Sequence, residues 1–244
     1  MKSRGPDFGP KRPRSLQVGG VVPFTATDYP GQIAAVVFVQ GCPWRCAYCH
    51  NPHLQPRTRN SALAWGAVME LLKRRVGLLD AVVFSGGEPT TDPALAQAIR
   101  DVRSLGFKVG LHTAGTHPRR LKEVLPLVDW VGLDVKAAFA NYPGITRASS
   151  SGMHALASLE AVLASGVQYE CRTTLHPDLL PENEILSLAQ TLSAMNVTNY
   201  VLQVFRTQGC DDDGLKSVPL AGYPGNDLVA RIAALFPAFT LRRG

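Results

Sequence analysis

The chain has 244 residues, 45% hydrophobic and 18% charged, with a formal net charge of +6. That composition is globular and long enough for a full core, and no apolar run approaches the ~20 residues needed to cross a bilayer, so no membrane partner is expected. The five cysteines are odd in number, unlike a secreted disulfide framework, so a reducing, cytoplasmic location is expected.

The first 14 residues are basic, with Lys2, Arg4, Lys11, Arg12 and Arg14 against Asp7. No apolar stretch follows them, so they are not a secretory signal. No Trp or Tyr interleaves the charges, so residues 1–15 read as a solvated tail and no nucleic-acid partner is expected. Residues 16–244 read as a single domain.

Residues 16–24 and 33–40 read as strands, separated by the turn signal "TATDYPGQ". A helix is expected from Ser61, capped by that serine, with Leu63, Ala67, Leu71 and Leu72 on one face. Residues 81–84 form a short buried strand. Asp92 and Pro93 then open a helix whose inner face is Leu95, Ile99, Val102 and Leu105, stopped by Gly106. Strands follow at 107–111 and 130–135, with a short helix opened by Pro118 between them. A helix at 153–165 turns Leu156, Leu159 and Leu163 inward and ends at Gly166. A strand at 167–175, a helix at 181–195 with Glu182 and Glu184 in its first turn, a strand at 200–205 and a helix at 228–235 complete the pattern. From residue 33 onward this makes six strands alternating with helices, hence a parallel sheet. Six units fall short of a closed eight-unit barrel, leaving a three-quarter barrel or an open doubly wound sheet. Both place function at the C-terminal ends of the strands.

Cys42, Cys46 and Cys49 sit directly after the strand at 33–40, in "GCPWRCAYCHNPHL". The spacing is C-x3-C-x2-C. A zinc site wants four closed ligands, which His50 or His53 would have to complete, and zinc knuckles usually draw on two separated pairs. A simple ferredoxin cubane wants four cysteines. Three thiolates in one loop suit a [4Fe–4S] cubane held at three irons, with the fourth iron open to a ligand. This spacing, with Tyr48 before the last cysteine, resembles the radical S-adenosylmethionine superfamily. In that family the cluster reduces the bound sulfonium, and the resulting deoxyadenosyl radical abstracts a hydrogen atom.

A second motif, "FSGGEPT", ends the next strand. A Gly-Gly pair in a βα turn is by itself explained by tight-turn geometry or a phosphate-cradling nest. The superfamily, however, carries Gly-Gly-Glu-Pro at this place, and Gly86, Gly87, Glu88 and Pro89 match it. The resemblance implies that this backbone holds the amino group of the cofactor's methionyl part, with Glu88 orienting it and the glycines allowing close approach.

From about residue 19 to 210 the chain is similar to the glycyl-radical-enzyme activating proteins, above all to the group that activates anaerobic ribonucleoside-triphosphate reductase. "LHTAG", "VGLDVKA", "YECRTTLHP" and "VLQVFRTQGC" carry the likeness further. It implies a partial (β/α)6, three-quarter TIM-like barrel of α/β class. The implied cofactors are a [4Fe–4S] cluster on Cys42, Cys46 and Cys49, and S-adenosylmethionine. Tyr48, Gly86, Gly87, Glu88, Thr113, Asp134, Lys136 and Arg206 are the implied cofactor-binding residues. The implied partners are a glycyl radical enzyme, and a flavodoxin or ferredoxin as electron donor. Asp134 and Lys136 form an Asp-x-Lys segment, whose charges would otherwise read as a solvated strand end. Arg206 stands where the related pyruvate formate-lyase activating enzyme has a histidine. That enzyme also carries Asp-Thr-Asn-Gly where this chain has His112, Thr113, Ala114 and Gly115. Its Asp helps bind a monovalent cation, whose electrostatic role is expected to pass here to His112 or its proton. His112 bonding a backbone carbonyl is the plainer alternative. Cys171 reads as a small buried hydrophobe, and Cys210 receives no role. Two rivals stand beside this reading. One is a radical enzyme acting on a small molecule, and the other an iron–sulfur or zinc module without catalysis.

Overall fold

The computed structural model describes residues 15–58 and 61–243, so the basic segment before Ser15 lies outside the described residues. The strands are β1 (Val18–Thr25), β2 (Ala34–Val39), β3 (Ala81–Gly86), β4 (Lys108–Thr113), β5 (Trp130–Asp134), β6 (Gln168–Leu175), β7 (Asn199–Val204) and β8 (Ala238–Arg242). The helices are α1 (Trp65–Lys73), α2 (Leu95–Ser104), α3 (Pro118–Val124), α4 (Tyr142–Thr146), α5 (Ser151–Ser165), α6 (Glu182–Ala194), α7 (Asp213–Ser217) and α8 (Asn226–Ala233).

Among the described residues all eight strands join one sheet in strict sequence order, β1 to β8. A doubly wound sheet reverses its order at a switch point; this one never does, which selects the barrel-like course. β1 runs antiparallel to β2, and each pair from β2 to β8 is parallel. β1 and β8 are not paired to each other, so the barrel stays open along that seam. Among the described residues no helix is long and apolar enough to cross a membrane.

Alternate residues of each strand face two cores. Ala35, Val37, Val39, Val82, Phe84, Val109, Leu111, Val131 and Leu133 belong to the large outer core with the helices. Val36 and Val83 face inward with Tyr29 and Trp130, which stack at 5.2 Å between ring centroids. Gly110 leaves room for this stack, since a Cβ there would lie 3.0 Å from the Tyr29 ring and 3.1 Å from Val83. The interior is thereby packed at one end, and the cavity lies at the other, among the C-terminal ends of the strands.

Several expectations are corrected. Ser61 does not cap α1, which begins at Trp65. Its hydroxyl is engaged with the backbone N–H and C=O of Val18, at 2.7 and 2.9 Å, and so pins the loop to β1. The buried face of α1 is Val68 and Leu72, while Leu63 and Ala67 are exposed. In α5 the inward face is Ala155, Ser158, Leu159 and Val162; Leu156 and Leu163 are only partly covered. The sheet also gains β8, which the sequence pattern did not suggest.

Candidate active site

The ends of β2 through β8, with the loop after β1, line one cavity of about 690 Å³. The first wall leaves β2. Gly41 takes a φ of +105°, a left-handed conformation that suits glycine, and turns the chain away from the strand. Its N–H donates to Leu54 O at 2.7 Å, and Cys42 N–H donates to Gln55 O at 3.0 Å, closing the loop on itself. Arg45 stiffens it by donating to the carbonyls of Cys42 and Trp44 at 2.6 and 3.0 Å. Cys42, Cys46 and Cys49 are free, half-buried and line the cavity. Burial, with the Glu88 charge behind it, pushes the Cys42 thiol up to about 12, and burial also raises Cys46. Such thiols ionise near neutral pH only when a bound cation draws the proton off. Among the described residues no three His, Cys, Asp or Glu side chains gather around a single ion position. A cubane does not ask for one, because each thiolate goes to a different iron.

The second wall is the end of β3. Gly87 N–H donates to Val39 O and Glu88 N–H to Gly41 O, both at 2.9 Å. A Cβ on Gly87 would lie 2.6 Å from Gly41 O and 2.8 Å from Leu54 O, and one on Gly86 would lie 2.6 Å from Val39 O. The missing side chains therefore make room for the cysteine loop. The two glycines line the cavity from their other side. With the Gly87 and Glu88 amides spent, this segment offers acceptors, which suit a cationic amino group.

Glu88 departs from its expected role. It is fully buried and lies behind the cavity wall. Its carboxylate accepts from Thr90 N–H at 3.1 Å, Thr90 Oγ1 at 2.6 Å, Thr113 Oγ1 at 2.7 Å and Ala114 N–H at 2.8 Å. Burial raises its pKa, and these four bonds pull against that rise. Glu88 thus ties the β3 loop to the β4 loop, and Thr113, which does line the cavity, is held by that knot.

His112 on β4 faces the cavity. Its Nε2 lies 2.7 Å from Asp28 O, which requires Nε2–H as donor. Burial first, and then the Arg172 charge, lower its pKa to about 3. The ring is neutral, so it does not supply the positive charge expected of it. The plainer alternative, a bond to a backbone carbonyl, describes its position.

Asp134 ends β5 and Lys136 follows it, and both line the cavity. Lys136 Nζ lies 3.2 Å from Asp134 Oδ2 and 5.4 Å from the centre of the Tyr48 ring. Burial pushes the Asp134 carboxyl up, but Lys136 and Arg172 outweigh it and hold the pKa below the ordinary value. The Tyr48 hydroxyl is buried at the cavity and has no hydrogen-bond partner. Arg206 is exposed at the rim, and its carbonyl holds His50 Nε2 at 2.9 Å.

Two features escaped the sequence reading. Arg172 on β6 reaches the cavity wall with Asp134 Oδ1 3.5 Å from its Nε. An arginine two residues from Glu170, within a strand whose middle is buried, was the available signal. The other is a clamp on the cysteine loop. Phe205 stacks on His50 at 5.6 Å and meets the edge of buried His176 at 5.2 Å. A Cβ on Gly209 would lie 2.5 Å from His50 O, so the loop after β7 presses directly on the cysteine loop. Cys171 is buried with its thiol pushed up to about 12, as befits packing rather than ligation.

Residues 36–193 match the radical SAM superfamily. A protein of Methanocaldococcus jannaschii named as a glycyl-radical enzyme activating enzyme is 31% identical over 83% of this chain and 85% of its own. The pyruvate formate-lyase-activating enzyme of Clostridium pasteurianum is 32% identical over 75% of this chain and 79% of its own. Among solved structures, SuiB of Streptococcus suis has the same fold with a TM-score of 0.64, at 13% identity over 84% of this chain and 47% of that one.

Proposed function

The chain belongs to the radical SAM superfamily, among the glycyl-radical enzyme activating enzymes, and on that footing we propose that it installs a glycyl radical on anaerobic ribonucleoside-triphosphate reductase. The observation that carries the reading is the meeting of three free cysteines, the Gly86–Gly87 backbone and the Asp134–Lys136 pair around one cavity.

The family's cofactors are a [4Fe–4S] cluster and S-adenosylmethionine, and the residues fit them. Among the described residues the cavity lining offers three free thiols, and the Tyr48 hydroxyl and Arg172 Nε are buried there without a hydrogen bond. Cys42, Cys46 and Cys49 would hold the cluster. The Gly86–Gly87 carbonyls, Thr113, Asp134, Lys136 and Arg206 would hold the cofactor. When bound, the two groups supply reductive cleavage of a sulfonium and hydrogen abstraction by the carbon radical so formed.

The chain's own task is binding, orientation and exclusion of water. Lys136 and Asp134 neutralise each other's cost of burial and present one donor and one acceptor side by side. Tyr48 covers the Lys136 ammonium and keeps water from the cysteines. The Glu88 knot fixes the two loops that carry Gly87 and Thr113. The barrel seam between β1 and β8 gives a partner's glycine-bearing loop a way in. Electrons would come from a flavodoxin or ferredoxin, and the free cysteines suit the cytoplasm.

Anaerobic electron paramagnetic resonance tests the reading. The protein is reconstituted with iron and sulfide, reduced, and measured with and without S-adenosylmethionine. A reduced cluster signal that changes with the cofactor is expected, followed by a glycyl radical when the reductase is added. A signal indifferent to the cofactor would make the protein an electron carrier. A cofactor-responsive cluster that leaves the reductase silent would redirect the search to another glycyl radical enzyme or a small molecule.

A further inference from the structure

The basic segment 1–14, with Lys2, Arg4, Lys11, Arg12 and Arg14 against Asp7, has no part in the site described above. The fold fixes where it is attached. β1 runs antiparallel to β2, so β1 begins at the end of the barrel where β2 finishes, and Val18 pairs with Val39. Gln17 O accepts from Gln40 N–H at 2.8 Å, and Gln17 N–H donates to Asp92 Oδ2 at 3.1 Å. The basic segment is therefore joined to the rim beside Gly41 and the cysteine loop.

That part of the rim carries one sign of charge. Segments 41–58, 114–120 and 135–150, which follow β2, β4 and β5, contain no Asp or Glu. Between β3 and α2, Glu88 and Asp92 are both buried. Arg45, Arg57, Arg119 and Arg147 of the same segments are exposed. Arg57 Nη2 lies 3.5 Å from Asp92 Oδ2, the oxygen that also accepts from Gln17. Arg57 donates to Thr91 O at 3.0 Å, and Arg120 donates to the same carbonyl. A Cβ on Gly41 would lie 3.3 Å from the Arg57 Cβ, so this arginine packs directly on the start of the cysteine loop. Arg45 belongs to that loop, and its N–H donates to Thr146 O at 2.9 Å, next to Arg147. Acids gather instead after β6 and β7, where Asp178, Glu182, Asp211, Asp212 and Asp213 lie. The loop after β7 meets the cysteine loop at its other end, with Cys210 Sγ 3.8 Å from Ala47 O. The rim is thus split into a basic and an acidic sector, and the loop that bears the thiols touches both.

We propose that segment 1–14 and the arginines of the basic sector form one docking surface for an acidic one-electron carrier protein. The proposal rests on the reading given under Proposed function, because the electron is delivered to a cluster held at Cys42, Cys46 and Cys49. One electron leaves the reduced carrier and enters the cluster, and no proton or group moves with it. The basic sector attracts the carrier's carboxylates and the acidic sector repels them, so the approach is oriented as well as accelerated. Redox encounters bury little area, which leaves charge to set their rate.

Anaerobic stopped-flow reduction of the reconstituted full chain tests this with two reductants, each followed by its own colour. One is flavodoxin hydroquinone, an acidic protein, and the other is reduced methyl viologen, a small cation with no use for a basic surface. Between about 20 and 200 mM salt the flavodoxin rate constant should fall roughly 10-fold. Lys11→Gln, Arg12→Gln and Arg14→Gln together should slow flavodoxin several-fold at low salt. Arg119→Glu with Arg147→Glu should do the same, and neither set should slow methyl viologen. A flavodoxin rate that ignores salt and both sets of substitutions overturns the proposal. A loss confined to one set overturns the joint surface. Equal slowing of both reductants overturns it too, because the substitutions would then act on the cluster. A DNA duplex that binds more tightly than flavodoxin at about 150 mM salt, and is released by the same substitutions, would give the surface to nucleic acid instead. A cluster that neither reductant reduces removes the function reading itself, and the proposal with it.

Discussion

At the scale of single residues, the cavity depends on side chains whose protons the fold dictates. His112 carries a folded pKa of about 3 against an ordinary 6.5, because burial and Arg172 oppose its charge. Between those values the unfolded chain binds a proton that the folded chain refuses. Stability therefore falls as pH is lowered through that window, by about 1.4 kcal/mol per pH unit for one such group. His112→Gln should remove this share, so its stability deficit in urea unfolding should shrink from pH 7 to pH 4. Curves that stay parallel would place the acid sensitivity elsewhere. The sequence made Cys42, Cys46, Cys49, Gly86 and Gly87 visible because their chemistry depends on short fixed intervals along the chain. Arg172 on β6 and Asp28 in the loop after β1 meet His112 only in the folded chain, and no short interval connects them. Glu88 was seen, but its role was misjudged, since the four donors that claim it come partly from β4.

At the scale of elements, the cysteine loop is held from both sides. The β3 loop supports it through backbone bonds, and the β7 loop through the His50, Phe205 and His176 rings. The first support tolerates no side chain, while the second is made of side chains and is therefore the adjustable one. Phe205→Leu keeps a large apolar group in the core but removes the flat face against His50. It should leave the far-ultraviolet circular dichroism unchanged and speed iron loss to a chelator several-fold, because an ordered ligand shell holds its metal longer. Unchanged iron loss would reduce the clamp to ordinary packing. The elements themselves were read well where apolar periodicity is strong, as in α2 and α6. β8 was missed because "AFTLR" is short, half-exposed and ends in charge, and its place in the sheet is fixed by β7 and by the Arg242 pair with Glu170. The Ser61 cap failed for the opposite reason. A favourable local signal lost its hydroxyl to Val18 on a distant strand.

At the scale of the whole molecule, the interior is closed at one end by Tyr29 and Trp130 and open at the other, where three thiols collect. The metal-free folded protein should therefore give two classes of cysteine toward a maleimide. Cys42, Cys46 and Cys49 should label without denaturant once the pH is raised, since the Cys42 and Cys46 thiols resist ionisation, and Cys171 and Cys210 only in denaturant. Mass spectrometry of the quenched protein counts them, and native labelling of Cys171 would mean that the sheet opens. The strand order holds one more consequence. Because every sheet neighbour is also the next strand in the chain, a nascent polypeptide can add each strand to an edge already formed, without waiting for a distant segment. β1, β2 and β3 bring together the cysteine loop and its glycine support within the first part of translation. Arg172, Arg242 and the Phe205 clamp arrive last. The ribosome thus delivers the metal-binding half of the cavity before the half that closes around it.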